Sequence, residues 1–126
     1  SEKLLSAVGK FLWADDEKLL DPVTAVSGSG PAYIFLLIEA MAAAGAKLGL
    51  TEDMAMTLAR QTVIGAAALA DDSKNIPAAT LRENVTSPGG TTAAALSVLM
   101  RDDNGLQALF DEALAAAAQR AEELSQ

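Results

Sequence analysis

Ser87-Pro88-Gly89-Gly90-Thr91-Thr92, continued without a break by Ala93-Ala94-Ala95-Leu96, is a loop that turns sharply and enters a helix. Pro88 fixes φ and has no N–H, and the two glycines after it accept backbone angles that other residues resist. Thr91 or Thr92 is suited to the N-cap, and the Ala/Leu run propagates the helix. The first N–H groups of such a helix lack intrahelical acceptors and sit at the positive end of its dipole. With no side chain at Gly89 or Gly90, a small anion can come within hydrogen-bond distance of bare amides. An ordinary Pro-Gly turn before a capped helix is the commoner use of these residues, so the loop acquires meaning only beside a second element.

Outward from that loop, helical spacing dominates. From Pro31 to Leu48 the residues Ile34, Leu37, Ile38, Met41 and Leu48 share one face with Gly45, while Phe35 and Leu36 make the opposite face apolar too. Such a helix is expected to be buried nearly all round. A membrane span is disfavoured: Glu39 lies at its middle, and the sixteen residues Pro31 to Ala46 fall short of the roughly twenty that a bilayer needs. A carboxylate paired to a neighbouring helix is the expected role of Glu39. Gly49 ends this helix and Thr51 caps the next, with Glu52 and Asp53 placed well against its dipole and an apolar face of Leu58, Thr62, Gly65 and Leu69. A polar turn at 71–75 leads to a short helix from Pro77 to about Asn84. After the Ser87–Thr92 loop a helix runs to Met100 or Arg101, and Leu106 to Leu124 forms the last. The expectation is an all-α chain of five or six helices.

At 126 residues the chain suits one domain with a real core. Twenty-seven residues are Ala and only five are aromatic, so its helices must approach closely to fill space. The net charge of −8, with no basic block, argues against nucleic acid as a partner. The absence of Cys and His removes disulfides, thiolate chemistry, the commonest metal ligands and every Ser-His or Cys-His device, and no metal site is expected. Catalysis would rest on hydroxyls, amides, carboxylates, Lys, Arg, Tyr or a borrowed cofactor. The start Ser1-Glu2-Lys3-Leu4-Leu5 has no Met and no signal-peptide pattern, and a fragment of a longer protein is expected.

Two further stretches stand out. Leu4, Leu5 and Val8 suit a short helix closed by Gly9, and Phe11-Leu12-Trp13 reads as a brief strand that needs a neighbour this chain does not supply. Val26-Ser27-Gly28-Ser29-Gly30-Pro31-Ala32-Tyr33 has the outline of the dinucleotide fingerprint G-x-G-x-x-G but does not meet it. Tyr33 takes the third glycine's place, Pro31 interrupts, and no clear βαβ unit follows. Pro31 fits the first position of the long helix, with Gly28 and Gly30 permitting close backbone approach.

Val26–Tyr33, followed about fifty residues later by Val85-Thr86-Ser87-Pro88-Gly89-Gly90-Thr91-Thr92 with an Ala-rich helix between, resembles the C-terminal half of pyrroline-5-carboxylate reductase. That resemblance implies the last step of proline biosynthesis, in which hydride from NADPH or NADH reaches the imine carbon of 1-pyrroline-5-carboxylate. It implies that residues 1–20 are the tail of a nucleotide-binding domain absent from this chain, which would account for the lone strand. Residues 21–126 would then form the helical domain, interlaced with a second subunit in a homodimer, with a larger assembly such as a decamer of the same dimers open. Proteins of this family hold the substrate carboxylate on the loop matching Ser87, Gly89, Gly90, Thr91 and Thr92, with the Thr92 hydroxyl at the imine nitrogen as the catalytic contact. Ser27, Gly28 and Gly30 would lie on the nicotinamide side. The resemblance further implies a cytoplasmic enzyme, with no membrane and no nucleic acid among its partners. The alternative from another class is a helical self-association module whose loop binds a small anion.

Overall fold

The computed structural model describes residues 17–125, and both the Leu4–Val8 helix and the Phe11-Leu12-Trp13 strand lie outside them. All regular structure among the described residues is helical. A 3-10 turn at Glu17–Leu19, one α-turn at Leu20–Val23 and a π-turn at Thr24–Gly28 follow one another directly. Five longer helices come next: α1 (Gly30–Lys47), α2 (Glu52–Asp72), α3 (Ala78–Asn84), α4 (Thr91–Leu99) and α5 (Leu106–Leu124). They fall into two compact units, one of the described residues up to Tyr33 and from Met100 on, the other of Ile34–Leu99.

The Ile34–Leu99 unit is built on the α1–α2 hairpin. Gly49, at φ +113, takes the left-handed conformation that lets α1 stop. Gly49 N–H donates to Ala46 C=O at 3.0 Å and Leu50 N–H reaches back to Gly45 C=O at 3.3 Å, the bond pair of a Schellman cap. A Cβ on Gly45 would stand 3.3 Å from Leu50 Cδ1 and 3.5 Å from Ala55 Cβ, so the glycine lets the cap's apolar residue and the next helix come close. Thr51 then opens α2, its Oγ1 accepting from Met54 N–H at 3.2 Å. Between the two helices Ile38, Ala42, Ala55 and Ala59 are buried, with Ala46, Met56 and Val63 packed around them. Three of the four buried residues are Ala, which is how a chain so short of bulky side chains draws two helices together.

In the other unit α5 packs on the Leu20–Val23 and Thr24–Gly28 turns. Pro22 sits in the first turn of its helix, where an N–H would have no acceptor, so the helical path from Leu20 survives it. Ala25 is deeply buried there, at 1% exposure. Tyr33 packs edge-on to Phe110, with ring centroids 5.9 Å apart and planes at 78°.

The observed helices depart from the expected ones. The turn at 71–75 begins later, because α2 continues through Asp72. Val23 ends the α-turn, and Thr24–Gly28 continues it as a π-turn. Helical continuity from Leu20 also removes the length argument against a membrane span, since Leu20–Lys47 is 28 residues long and contains an 18-residue stretch of mean hydropathy 1.3. By length and composition that segment could cross a bilayer.

The expectation of nearly all-round burial for α1 fails within this chain. Phe35 and Leu36 are 65% and 64% exposed, and Ile34, Leu37 and Met41 are exposed with them. Only Ile38 and Ala42 of α1 are buried. The reason is geometric: one neighbouring helix covers one stripe of a helix whose apolar residues go all the way round.

Candidate functional site

The Ser87–Thr92 loop is set by one tight turn. Pro88 occupies its second position and Gly89, at φ +71, its third, and Gly90 N–H closes it on Ser87 C=O at 3.0 Å. This is the order of a type II turn, in which the third position needs a positive φ that glycine alone adopts at no steric cost. Gly90 is constrained differently. Its φ is not in the left-handed region, but a Cβ there would stand 3.3 Å from Ser87 O and 3.4 Å from Ser87 Cβ. Gly89 is needed for an angle, Gly90 for a close approach.

α4 begins at Thr91, and Ala94 N–H donates to Gly90 C=O at 3.1 Å. The residue whose carbonyl accepts the first helical bond is the N-cap, so Gly90 takes the place expected of Thr91 or Thr92. The two threonines move into the first turn. Thr91, Thr92 and Ala93 therefore offer N–H groups with no acceptor inside the helix, at the positive end of its dipole. Gly90 N–H, expected among the anion-binding amides, is engaged by the turn itself.

The hydroxyls divide in the same way. Thr62 Oγ1 donates to Leu58 C=O at 2.7 Å and Thr86 Oγ1 to Arg82 C=O at 2.6 Å, so both are held against their own backbone. Thr91 and Thr92 are exposed. Among the described residues neither of their hydroxyls forms such a bond, and both remain open to a ligand.

The second stretch is ordered by its own turn. Ser27 Oγ donates to Val23 C=O at 2.9 Å. Ser29 N–H reaches five residues back to Thr24 C=O at 2.9 Å. Nothing here resembles the amide nest that cradles a dinucleotide's phosphates, and no β-strand precedes it among the described residues. The bare backbone is of another kind. A Cβ on Gly30 would meet nothing within 4 Å and one on Gly28 only Thr24 of its own turn, so no packing within the described residues requires glycine at either position.

Glu39 does not form the pairing expected of it within the chain. It is exposed, and with Glu52, Asp53, Ala42, Ala43, Ala46 and Met56 it lines an open hollow. Its charged neighbours there are acidic, and among the described residues no group of carboxylates could hold a metal ion.

The fold and the loop together define an all-helical domain that leaves its longest apolar helix uncovered and presents an anion-ready helix start. The chain belongs to the pyrroline-5-carboxylate reductase dimerisation family, whose model matches residues 17–124. It is 55% identical over 124 residues to a pyrroline-5-carboxylate reductase of Pseudomonas aeruginosa and 50% identical over 123 residues to one of Arabidopsis thaliana, in each case over 98% of this chain. It spans only 44% and 43% of those relatives' lengths. Two solved structures share the fold. A Coxiella burnetii pyrroline-5-carboxylate reductase superposes at TM-score 0.80 with 48% identity, over 88% of this chain and 40% of that one. A Plasmodium falciparum pyrroline carboxylate reductase with NADP bound superposes at 0.79 with 35% identity, over 88% and 41%.

Proposed function

We propose that this chain is the helical, dimerising part of an enzyme that reduces 1-pyrroline-5-carboxylate to L-proline with NADPH or NADH. The observation that carries this reading is the first turn of α4: three unpaired amides and two free Thr hydroxyls behind a turn that only Gly89 and Gly90 allow. A carboxylate fits the N–H groups of Thr91, Thr92 and Ala93, with Ser87 and Gly89 forming the wall behind them. Thr92 then reaches the imine nitrogen as a hydrogen-bond partner. A Thr hydroxyl is a poor acid, so its role is orientation rather than proton delivery.

Reduction of a protonated imine needs no metal and no strong base, which agrees with a chain that has neither His nor Cys. The dinucleotide supplies the hydride. Ser27, Gly28 and Gly30 suit only its nicotinamide side, and its phosphates belong to a part of the protein other than residues 17–125. We assign residues 1–20 to the end of that nucleotide-binding domain and 21–126 to the helical one. The substrate-binding part of the work is positional: holding the carboxylate fixes which carbon faces the hydride donor.

The partner is a second copy of the chain. The uncovered faces of α1 ask for an apolar cover, and another copy is favoured over a bilayer because Glu39 would sit mid-membrane without a counter-charge. We place the enzyme in the cytoplasm, with no nucleic-acid partner at a net charge of −8. Self-association as the chain's whole role is favoured by the same exposed faces. An assay of the longer protein decides between them. Oxidation of NADPH or NADH that depends on pyrroline-5-carboxylate is expected from the longer protein and not from this chain alone. Its absence from the longer protein would leave only the association role.

A further inference from the structure

The turn at Thr24–Gly28 is the one π-helical stretch among the described residues. An α-helix would pair Ser29 N–H with Ala25 C=O, but Ser29 N–H goes instead to Thr24 C=O at 2.9 Å. Ala25 C=O is thereby released in a residue that is only 1% exposed. A buried carbonyl left without a donor is costly, and a turn of this kind persists only where something else satisfies it. The donor is Tyr33, whose Oη reaches Ala25 C=O at 2.7 Å from one turn into α1. Its ring is held in turn by the edge-on packing with Phe110 on α5.

We propose that Tyr33 is a positioning residue: its hydroxyl on Ala25 C=O keeps the π-turn from relaxing to α register and so fixes how Ser27–Gly30 is presented. Relaxation by one residue would rotate the following backbone by about 100° and shift it by about 1.5 Å along the axis. The bare backbone at Gly28 and Gly30 would then face elsewhere. The functional half of this inference rests on the reading that Ser27–Gly30 lies on the nicotinamide side. The structural half does not.

The test uses Tyr33→Phe in the full-length protein, which keeps the ring against Phe110 and removes only the hydroxyl. Thr51→Ala, which removes the N-cap of α2 and none of the contacts named above, serves as the control for general destabilisation. Amide hydrogen exchange at Ser27–Gly30 is expected to quicken roughly 5- to 150-fold in Tyr33→Phe, the scale of one buried acceptor losing its donor. Affinity for the dinucleotide alone is expected to fall, with a higher KM for it and an unchanged KM for pyrroline-5-carboxylate. Thr51→Ala is expected to lower the melting temperature and leave the dinucleotide KM alone. Unchanged exchange in Tyr33→Phe overturns the proposal, as does quickened exchange in an active enzyme whose dinucleotide affinity is intact. A rise in both KM values, matched by Thr51→Ala, also overturns it. If the wild-type protein reduces no pyrroline-5-carboxylate, the proposed function fails by itself, and exchange with dinucleotide titration still decides the role of Tyr33.

Discussion

Gly89 and Gly90 are neighbours with different obligations, and their variants should separate. Gly89→Ala puts a side chain at φ +71, a conformation that costs an L-residue roughly 1–2 kcal/mol, and the strain falls on the turn. Gly90→Ala keeps its backbone angle but presses a Cβ on Ser87 O at 3.3 Å, which opens the turn by a few tenths of an ångström. Gly90→Val adds bulk in front of the amides and should raise the KM for pyrroline-5-carboxylate most, with dinucleotide KM near normal. Thr92→Ala should lower kcat/KM by roughly 5- to 150-fold, the equivalent of about 1–3 kcal/mol for a polar group deprived of its hydrogen bond. Thr92→Ser should retain most of the activity. Steady-state kinetics on the longer protein read all of these variants, and full activity in Thr92→Ala would reduce the loop to a turn. The sequence alone showed that this loop required glycine, because Pro-Gly-Gly before a helix is a local signal. It did not show that the two glycines serve separate ends, since the angle at Gly89 and the approach of Gly90 to Ser87 both depend on how the turn closes.

At the scale of elements, helix boundaries were legible wherever a single residue sets them. Thr51 caps α2, Gly49 ends α1, and Leu106–Leu124 matches the expected span. Thr51→Ala removes the acceptor for Met54 N–H and should cost about 1 kcal/mol, seen as a drop of a few degrees in melting temperature with dinucleotide binding unaffected. An unaltered melting temperature would mean that α2 is held by its packing against α1 alone. The π-turn was not legible. Asp21-Pro22-Val23-Thr24-Ala25-Val26 carries Pro and β-branched residues, which disfavour helix. What overrides those preferences is a bond from Tyr33, eight residues on, and the cover of α5, and neither leaves a mark in the local sequence.

For the whole molecule, length suggested a real core, and the described residues bury little within one copy. The expectation that α1 is surrounded holds only if another copy supplies the surroundings, because in the Ile34–Leu99 unit the buried residues are Ile38, Ala42, Ala55 and Ala59 alone. Burying a Phe or Leu side chain is worth about 1.5–3 kcal/mol, so Phe35, Leu36 and their exposed neighbours represent far more than a small domain can leave in water. Sedimentation should therefore find a homodimer at micromolar concentration. Leu36→Asp should shift it towards monomer, while Gln107→Ala on the exposed start of α5 should not. A stable, well-folded monomer of the unaltered chain would refute this account.

The uncovered face of α1 has a consequence for how stability itself is measured. If two copies must meet before that face leaves water, folding and association become a single second-order event. The melting temperature is then no constant of the chain, since it rises with protein concentration. Each tenfold dilution removes about 1.4 kcal/mol per dimer from the balance between folded pair and unfolded chains. Two laboratories working at different dilutions would report different stabilities for one sequence, and both would be right.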